Sequence, residues 1–292
     1  MNDEAGPRAP APDTVSLLLH LSDTHFGAEN AQVLEDLVAL VLQERPQAVV
    51  ATGDITEHAQ AAEFAAAARF FSRLAAHHQI VVPGNHDLPL WDVLRRLLAP
   101  YAEFRQAFGD DLEPCLQTRD IWVAGLCSTR RWRHHAGTLS NAQVRRSAQW
   151  LSMAPAGALR VVALHHPVAA GPCKGQASSD AAAPDVLHNA AFAVDAWSRA
   201  GVHLVLGGHT HRPGFLALHG SAERATPMWA VQAGTAVSRH LRGPQSQAVN
   251  LLRRVGAGGW RVEQWVHSDK APHSAFVLKD WVSIAASVAQ TL

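Results

Sequence analysis

Short clusters of polar residues follow several apolar runs of the sequence, and they carry side chains that bind divalent metal ions. The clusters read SDTH at 22–25, TGD at 52–54, PGNHD at 83–87, HHP at 165–167 and GGHTH at 207–211. They supply carboxylate, imidazole and amide groups from Asp23, His25, Asp54, Asn85, His86, Asp87, His165, His209 and His211. Nitrogen and oxygen ligands without thiolates suit Mn, Fe or Zn in a reactive site rather than a structural zinc site.

The spacing of these residues predicts a site wider than one ion. Residues two apart at a strand end lie on the same side, so Asp23 can converge with His25 and His209 with His211. A two-metal site, with ions about 3.5 to 4 Å apart, needs a shared carboxylate to hold the ions together. Asp54, alone after a predicted strand and followed by apolar Ile55, is the natural bridging group.

Each cluster taken alone has a structural explanation. A DxH triplet or a TGD is common in loops, a tight turn would account for GNHD, and GHTH fits a polar loop. Together, each at the end of a predicted strand, the clusters indicate a metal centre.

The elements that must position these residues follow from hydrophobic periodicity. Strands are predicted at 15–21, 47–52, 79–83, 121–126, 159–164 and 202–206, and helices at 31–43, 59–76, 91–108, 140–151 and 184–200. Ligands of open α/β sheets bind beyond the carboxyl ends of the strands, where the polar clusters lie. Shorter runs at 214–218, 228–233, 248–253 and 260–267 favour antiparallel strands, so we expect one domain of two sheets with outer helices.

Composition excludes several classes of protein. Of 292 residues 48% are hydrophobic and 17% charged, which supports a packed core rather than a disordered chain. Equal numbers of basic and acidic residues, 25 each, give no global reason to expect nucleic acid or a membrane as partner. Three cysteines without a CxxC pair argue against a disulfide scaffold and a thiolate zinc site.

Domain limits and location follow from the same pattern. Residues 1–13 are acidic and proline-rich without the order of a secretory signal, so we expect a disordered leader before a single domain over 14–292. No stretch approaches the roughly 18 uninterrupted apolar residues of a membrane span. We therefore expect a cytoplasmic protein.

In their order the motifs DTH, GD, GNHD, H and GHTH, over 23–211, resemble the calcineurin-like metallophosphoesterase superfamily. The strings LLHLSDTHFG and VVPGNHDLP are most similar to the bacterial branch of class III cyclic-nucleotide phosphodiesterases and related diesterases. The resemblance implies an α/β (α+β) fold, a four-layer αββα sandwich of two mixed β-sheets flanked by helices.

The resemblance also implies roles for single residues. Asp23, His25 and His211 would bind one metal, Asn85, His165 and His209 the other, and Asp54 would bridge them. His86 is similar to the family's non-ligand histidine, which contacts the substrate phosphate or protonates the leaving group, and Asp87 would orient it. The cofactors would be two divalent ions drawn from Mn²⁺, Fe²⁺/Fe³⁺ or Zn²⁺.

The function expected from these residues is hydrolysis of a phosphodiester bond of a small substrate, such as 3′,5′-cyclic AMP, by attack of metal-bound hydroxide. Two ions would neutralise the phosphate and lower the pKa of a bound water from near 16 toward 7. Alternatives are a nucleotide-sugar lipid pyrophosphatase, a nuclease, or a non-catalytic scaffold. The net charge of zero argues against the nuclease, and the lack of a marked membrane-docking helix argues against the lipid enzyme. The complete set of candidate metal ligands argues against the scaffold.

Three further segments lie outside the motifs. The loop at 128–137 offers Arg130, Arg131 and Arg133 as candidate substrate-binding residues, because guanidinium matches phosphate oxygens. The segment 171–184 lacks periodicity and is predicted to be a long loop that could gate the substrate. The apolar C-terminal segment 274–292 is expected to pack on the sandwich or on the second subunit of a homodimer.

Overall fold

The computed structural model describes residues 14–285, apart from 91, 134–135, 170–185, 221–227, 243–244, 257 and 271–274. The predicted leader and the predicted loop at 171–184 lie outside the described residues. No helix within these ranges is long and apolar enough to cross a membrane.

The first sheet combines a parallel and an antiparallel half. Its strands are β1 (Leu17–Leu21), β2 (Ala48–Thr52), β3 (His78–Val82), β10 (Ala248–Val255), β11 (Gly259–Ser268) and β12 (Ala275–Ala285). They lie side by side in the order β12, β11, β10, β1, β2, β3. The β1, β2 and β3 strands are parallel, and the pairs from β1 through β10 and β11 to β12 are antiparallel.

The second sheet is also mixed. Its strands are β4 (Cys115–Gln117), β5 (Ile121–Gly125), β6 (Leu159–Ala163), β7 (Leu204–Gly207), β8 (Gly214–Leu218) and β9 (Met228–Gln232). They lie in the order β4, β5, β6, β7, β9, β8, with the antiparallel strands β4 and β8 at the two edges.

Six helices complete the described part of the chain. They are α1 (Ala31–Glu44), α2 (Ala61–Arg73), α3 (Val93–Leu98), α4 (Ala102–Phe108), α5 (Asn141–Ser152) and α6 (Ala190–Arg199). The Ser140 side chain caps α5 by accepting a hydrogen bond from the Gln143 backbone at 3.1 Å.

The layers follow from the alternation of side chains along each strand. Leu17, Leu19 and Leu21 of β1 pack in one apolar core with α1 and α2. Leu18, on the opposite face, packs in a second core between the two sheets. A third core lies under α5 and α6 on the outer face of the second sheet. The predicted four-layer αββα sandwich is confirmed.

The structure corrects three elements of the prediction. The single helix expected at 91–108 is two helices, because Pro100 disfavours a helical conformation in the residue before it. Strand β4, only three residues long, was not predicted. Residues 275–285 of the C-terminal segment form the edge strand β12. Its alternation of buried and exposed side chains is interrupted around Lys279 and Asp280.

Candidate metal centre

The polar clusters meet where the carboxyl ends of parallel strands from both sheets come together. Beyond β1 and β2 the backbone continues the parallel pairing: the Asp23 N–H donates to the Gly53 carbonyl and the His25 N–H to the Asp54 carbonyl, each at 3.0 Å. The His209 N–H, after β7, donates to Asp23 Oδ2 at 3.0 Å. These bonds hold loops of the two sheets against each other.

Left-handed backbone, rather than strand alternation, makes the side chains converge. Asp23, His25, Asp54, His209 and His211 have φ between 43° and 69°. They account for five of the eight non-glycine residues with positive φ in the described ranges. The expectation that residues two apart converge along an extended strand end is therefore wrong in its mechanism. Such conformations cost about 1 to 3 kcal/mol each and cluster at functional sites.

One half of the cluster is formed by Asp23, His25 and His211. The Nε2 atoms of His25 and His211 lie 3.2 Å apart, and Asp23 Oδ1 lies 3.2 Å from His211 Nε2 and 3.9 Å from His25 Nε2. With Asp54, their ligand atoms all lie within 4.8 Å of one another. All four residues are buried.

The other half is formed by Asn85, His165 and His209. Asn85 Oδ1 lies 3.0 Å from both His165 Nε2 and His209 Nδ1, and those two nitrogens are 3.2 Å apart. His166 lies beside them, with its Nδ1 2.8 Å from Ser128 Oγ. His209 is partly exposed, so this half opens toward solvent.

Asp54 lies between the halves. Its Oδ2 is 3.3 Å from His165 Nε2 and 3.8 Å from His25 Nε2, so one oxygen faces both groups. Its Oδ1 accepts a hydrogen bond from the His86 N–H at 2.9 Å.

The tautomers of the histidines test whether these residues suit a metal ion. The Nδ1 atoms of His211 and His165 each lie 2.7 Å from a backbone carbonyl oxygen, of His240 and Thr52, so both must donate there. His25 Nδ1 faces the Glu57 carboxylate at 2.8 Å and must also carry the proton. In the neutral rings, all three Nε2 atoms therefore direct lone pairs into the cluster, against carboxylate and amide oxygens. Only a cation or added protons can stabilise such a group of acceptors, so the residues suit divalent ions.

The pKa shifts agree with that conclusion. Burial raises the pKa of Asp23, but the charge and hydrogen bond of His211 outweigh it and lower the pKa to about 2. Burial lowers the pKa of His165, yet the charge of Asp54 outweighs it and raises the pKa to about 9. In the metal-free protein, protons on histidines thus balance the buried carboxylates.

His86 and Asp87 lie in a short 3-10 turn at Asn85–Asp87, directly after β3. His86 is half-buried, and its Nδ1 lies 3.0 Å from the Glu57 carbonyl. The Asp87 carboxylate accepts hydrogen bonds from the backbone N–H groups of Gly84, Ile55 and Thr56 at 2.8 to 3.2 Å. The expectation that Asp87 orients His86 is corrected, because Asp87 fixes the loop of Asp54 and the Glu57 carbonyl orients the ring.

Two of the three candidate arginines in the 128–133 loop, Arg130 and Arg131, bond to the protein itself. Arg130 donates to the carbonyls of Cys127 and Thr129 at 3.0 and 2.8 Å, and Arg131 donates to the Leu97 carbonyl at 2.7 Å. Arg133 is exposed. His134 and His135 lie outside the described residues. The substrate-binding role of Arg130, Arg131 and Arg133 stays a prediction, without a contact that supports it.

Two residues beside the cluster were not found from sequence. Glu57 contacts His25, and its Oε2 also lies 3.2 Å from His240 Nε2. Glu57 is three residues after Asp54 in the string TGDITE, so its position beside a candidate ligand was a usable signal. His240 lies in the loop before β10, far from every motif, and no sequence pattern marks it.

Comparison with known proteins matches the Calcineurin-like phosphoesterase family model to residues 17–213. The chain belongs to this family. A curated relative, glycerophosphodiester phosphodiesterase GpdQ of Enterobacter lignolyticus, is 35% identical over 82 residues. That match covers 24% of this chain and 29% of the relative, so the two are similar over less than a third of either length.

Among solved structures, the chain is similar to the purple acid phosphatase PPD1 from yellow lupin (Lupinus luteus) seeds. The TM-score is 0.65 at 10% identity, covering 94% of this chain and 55% of the phosphatase. At this identity the likeness shows a shared fold. The chain spans about half the length of that enzyme.

Replacement of Gly84 by alanine tests the close packing behind the cluster. A Cβ at Gly84 would overlap the backbone nitrogen and the carboxylate of Asp54, so Asp54 must move. We expect Gly84→Ala to weaken metal binding at least about tenfold, because loss of a contact that supports a metal ligand typically has an effect of this size. Metal titration of the stripped protein measures the affinity. Gly258→Ala, where nothing lies within 4 Å, is the control. Equal affinities for the two variants would contradict this packing.

The pH dependence of metal binding tests the protonation of the cluster. Since the pKa of His165 is raised to about 9, by the charge of Asp54 against the opposing effect of burial, this ring carries an extra proton at neutral pH in the metal-free protein. The pKa of His211 is raised as well, by the charge and hydrogen bond of Asp23. An ion must displace the extra proton of His165, so affinity should rise from pH 6 to 8 by about tenfold per pH unit for each proton released. Calorimetry in buffers of different ionisation enthalpy counts the protons. Affinity independent of pH would refute this account.

Proposed function

We propose that the chain is a dinuclear metal-dependent phosphodiesterase acting on a small substrate. Asp23, His25 and His211 would hold one ion, Asn85, His165 and His209 the other, with Asp54 Oδ2 shared. The observation that carries this proposal is the two adjacent groups of acceptor atoms on either side of Asp54, with distances of 3.3 and 3.8 Å from its Oδ2 to the facing rings. Bound ions would supply Lewis-acid stabilisation of the phosphoryl oxygens and a nucleophile near neutral pH, whether Mn²⁺, Fe²⁺/Fe³⁺ or Zn²⁺ occupies the centre.

His86 is the candidate for the group that contacts the substrate. Its Nδ1 is fixed by the Glu57 carbonyl at 3.0 Å, which leaves Nε2 as the nitrogen that can meet a leaving oxygen. Its half-buried position at the edge of the cluster supports this role. Proton donation to the leaving group of this kind contributes about 10² to 10⁴ in rate.

The nature of the substrate rests on the relative. GpdQ, which is 35% identical to this chain over 82 residues, is named a glycerophosphodiester phosphodiesterase, and this likeness favours a phosphodiester over a monoester. Glycerophosphodiesters and 3′,5′-cyclic AMP are both small diesters of the proposed class. The reaction would take place in the cytoplasm.

A homodimer through β12 is part of the proposal. This edge strand exposes Val277, Leu278 and Trp281, which a second copy would cover. An exposed apolar strand edge is a template for pairing with another chain.

One observation favours a lipid-linked substrate as the second candidate. Helix α3, which follows the His86 turn, has no buried residue, and Val93, Leu94 and Leu98 are exposed. Trp132, on the neighbouring 128–133 loop, is also exposed, at 71%. An exposed apolar surface on the helix that follows the His86 turn weakens the sequence argument against a nucleotide-sugar lipid pyrophosphatase, which had relied on the lack of such a helix.

A panel of substrates tests the proposed function. Stripped and Mn²⁺-loaded protein would be assayed with bis(4-nitrophenyl) phosphate, cyclic AMP, glycerophosphodiesters, a nucleotide-sugar lipid and single-stranded DNA. We expect metal-dependent hydrolysis of small diesters. Hydrolysis of the lipid alone would favour the second candidate, and no hydrolysis with full metal loading would indicate a non-catalytic scaffold.

Substitution of His86 separates chemistry from metal binding. We expect His86→Ala to bind both ions and to lose about 10² to 10⁴ in kcat, because the ring holds no ion and supplies the proton. Elemental analysis and kcat for the same preparation give the two readouts. Wild-type turnover by a metal-replete variant would eliminate this role for His86.

A further inference from the structure

Glu57 lies in the loop after β2 and reaches the Asp23, His25 and His211 half of the cluster from behind. Its Oε2 is 2.8 Å from His25 Nδ1 and 3.2 Å from His240 Nε2. Both His25 Nδ1 and Glu57 Oε2 are buried, and in the described part of the chain neither makes a well-directed hydrogen bond, so their 2.8 Å approach is an ion-pair contact. Each atom is therefore the polar partner that the other requires.

We propose that Glu57 is the positioning residue of His25: its carboxylate keeps the proton on Nδ1, so that Nε2 presents its lone pair to the ion held with Asp23 and His211. This inference rests on the proposed function. A carboxylate behind a ligating imidazole fixes the tautomer and ring orientation and makes the ligand more basic.

In His211 and His165, a backbone carbonyl takes the place that the Glu57 carboxylate has behind His25. The Nδ1 of His211 faces the His240 carbonyl and that of His165 faces the Thr52 carbonyl, each at 2.7 Å. A side-chain substitution cannot remove a carbonyl oxygen. Of these three rings, His25 is the one whose tautomer a single side chain controls, and its partner is the one that bears a full charge.

His240 connects Glu57 to the other histidine of the same half. The His240 ring contacts the Glu57 carboxylate, while the His240 carbonyl accepts from His211 Nδ1. The contacts thus form a chain from His25 through Glu57 and His240 to His211, behind the half of the cluster formed by Asp23, His25 and His211. Loss of the carboxylate should therefore act on one half of the cluster.

The backbone of Glu57 has a separate role. Its carbonyl oxygen orients His86 Nδ1 at 3.0 Å, and a substitution of the side chain leaves that carbonyl in place. The effect of the Glu57 side chain on metal binding can consequently be measured while the hydrogen bond between the Glu57 carbonyl and His86 Nδ1 stays in place.

Glu57→Gln is the direct test, because it keeps the shape of the side chain and removes its charge. We expect the ion at Asp23, His25 and His211 to bind about 10- to 100-fold more weakly, while the ion at Asn85, His165 and His209 is retained. Titration of stripped protein with Zn²⁺ gives the two affinities. Anomalous diffraction from crystals of the variant gives the occupancy of each half, and neither readout depends on activity.

Glu63→Gln is the matched control. Glu63, at the start of α2, also faces a histidine, with its Oε1 3.2 Å from His58 Nδ1, but this pair is not part of the cluster. We expect Glu63→Gln to bind both ions as the wild type does. If Glu57→Gln fails to fold, Glu57→Asp takes its place, and the same selective weakening is expected because the shorter side chain withdraws from His25.

Two results would overturn the role of Glu57. One is a folded Glu57 variant that binds both ions with wild-type affinity. The other is an equal loss from both halves at an unchanged melting temperature, which would mean that Glu57 does not act through His25. A wild-type chain that binds no ion would instead refute the proposed function itself.

Discussion

Burial of two carboxylates in one cluster is the constraint on which the rest of the centre depends. Asp23 and Asp54 are 0% and 2% exposed, and an isolated buried carboxylate is strongly unfavourable. Each accepts one backbone hydrogen bond, Asp23 from the His209 N–H and Asp54 from the His86 N–H. Their other close neighbours are ring nitrogens of histidines whose Nδ1 protons are held on the far side by carbonyls and by Glu57. The cluster is consequently an arrangement of acceptors that requires cations, and the surrounding loops hold it in that state.

The fold supplies this arrangement at a cost in backbone strain. Parallel strands of two sheets end at one edge, and the loops beyond them pair through bonds such as that of the His25 N–H with the Asp54 carbonyl at 3.0 Å. Five candidate ligands then adopt left-handed backbone, at about 1 to 3 kcal/mol each. The three apolar cores of the sandwich offset that strain, since most residues of the strands that carry the loops are buried.

The sequence predicted the parts that depend on side-chain type and periodicity. Two sheets with outer helices followed from the apolar runs, the four-layer αββα order was implied by the resemblance, and the polar clusters marked the strand ends. It could not predict contacts that depend on how loops from different strands meet. Asp87 binds backbone N–H groups rather than the His86 ring, Arg130 bonds to its own loop, and the His240 carbonyl holds His211. Such contacts are fixed by the tertiary register of the two sheets, which no local pattern in one sequence encodes.

The central claim is that two ions bind side by side across Asp54, and anomalous diffraction from wild-type crystals grown with Mn²⁺ or Zn²⁺ tests it most directly. The account predicts two anomalous peaks about 3.5 to 4 Å apart, one beside His25 and His211 and one beside His165 and His209, with Asp54 between them. A single peak, or two peaks away from Asp54, would contradict it.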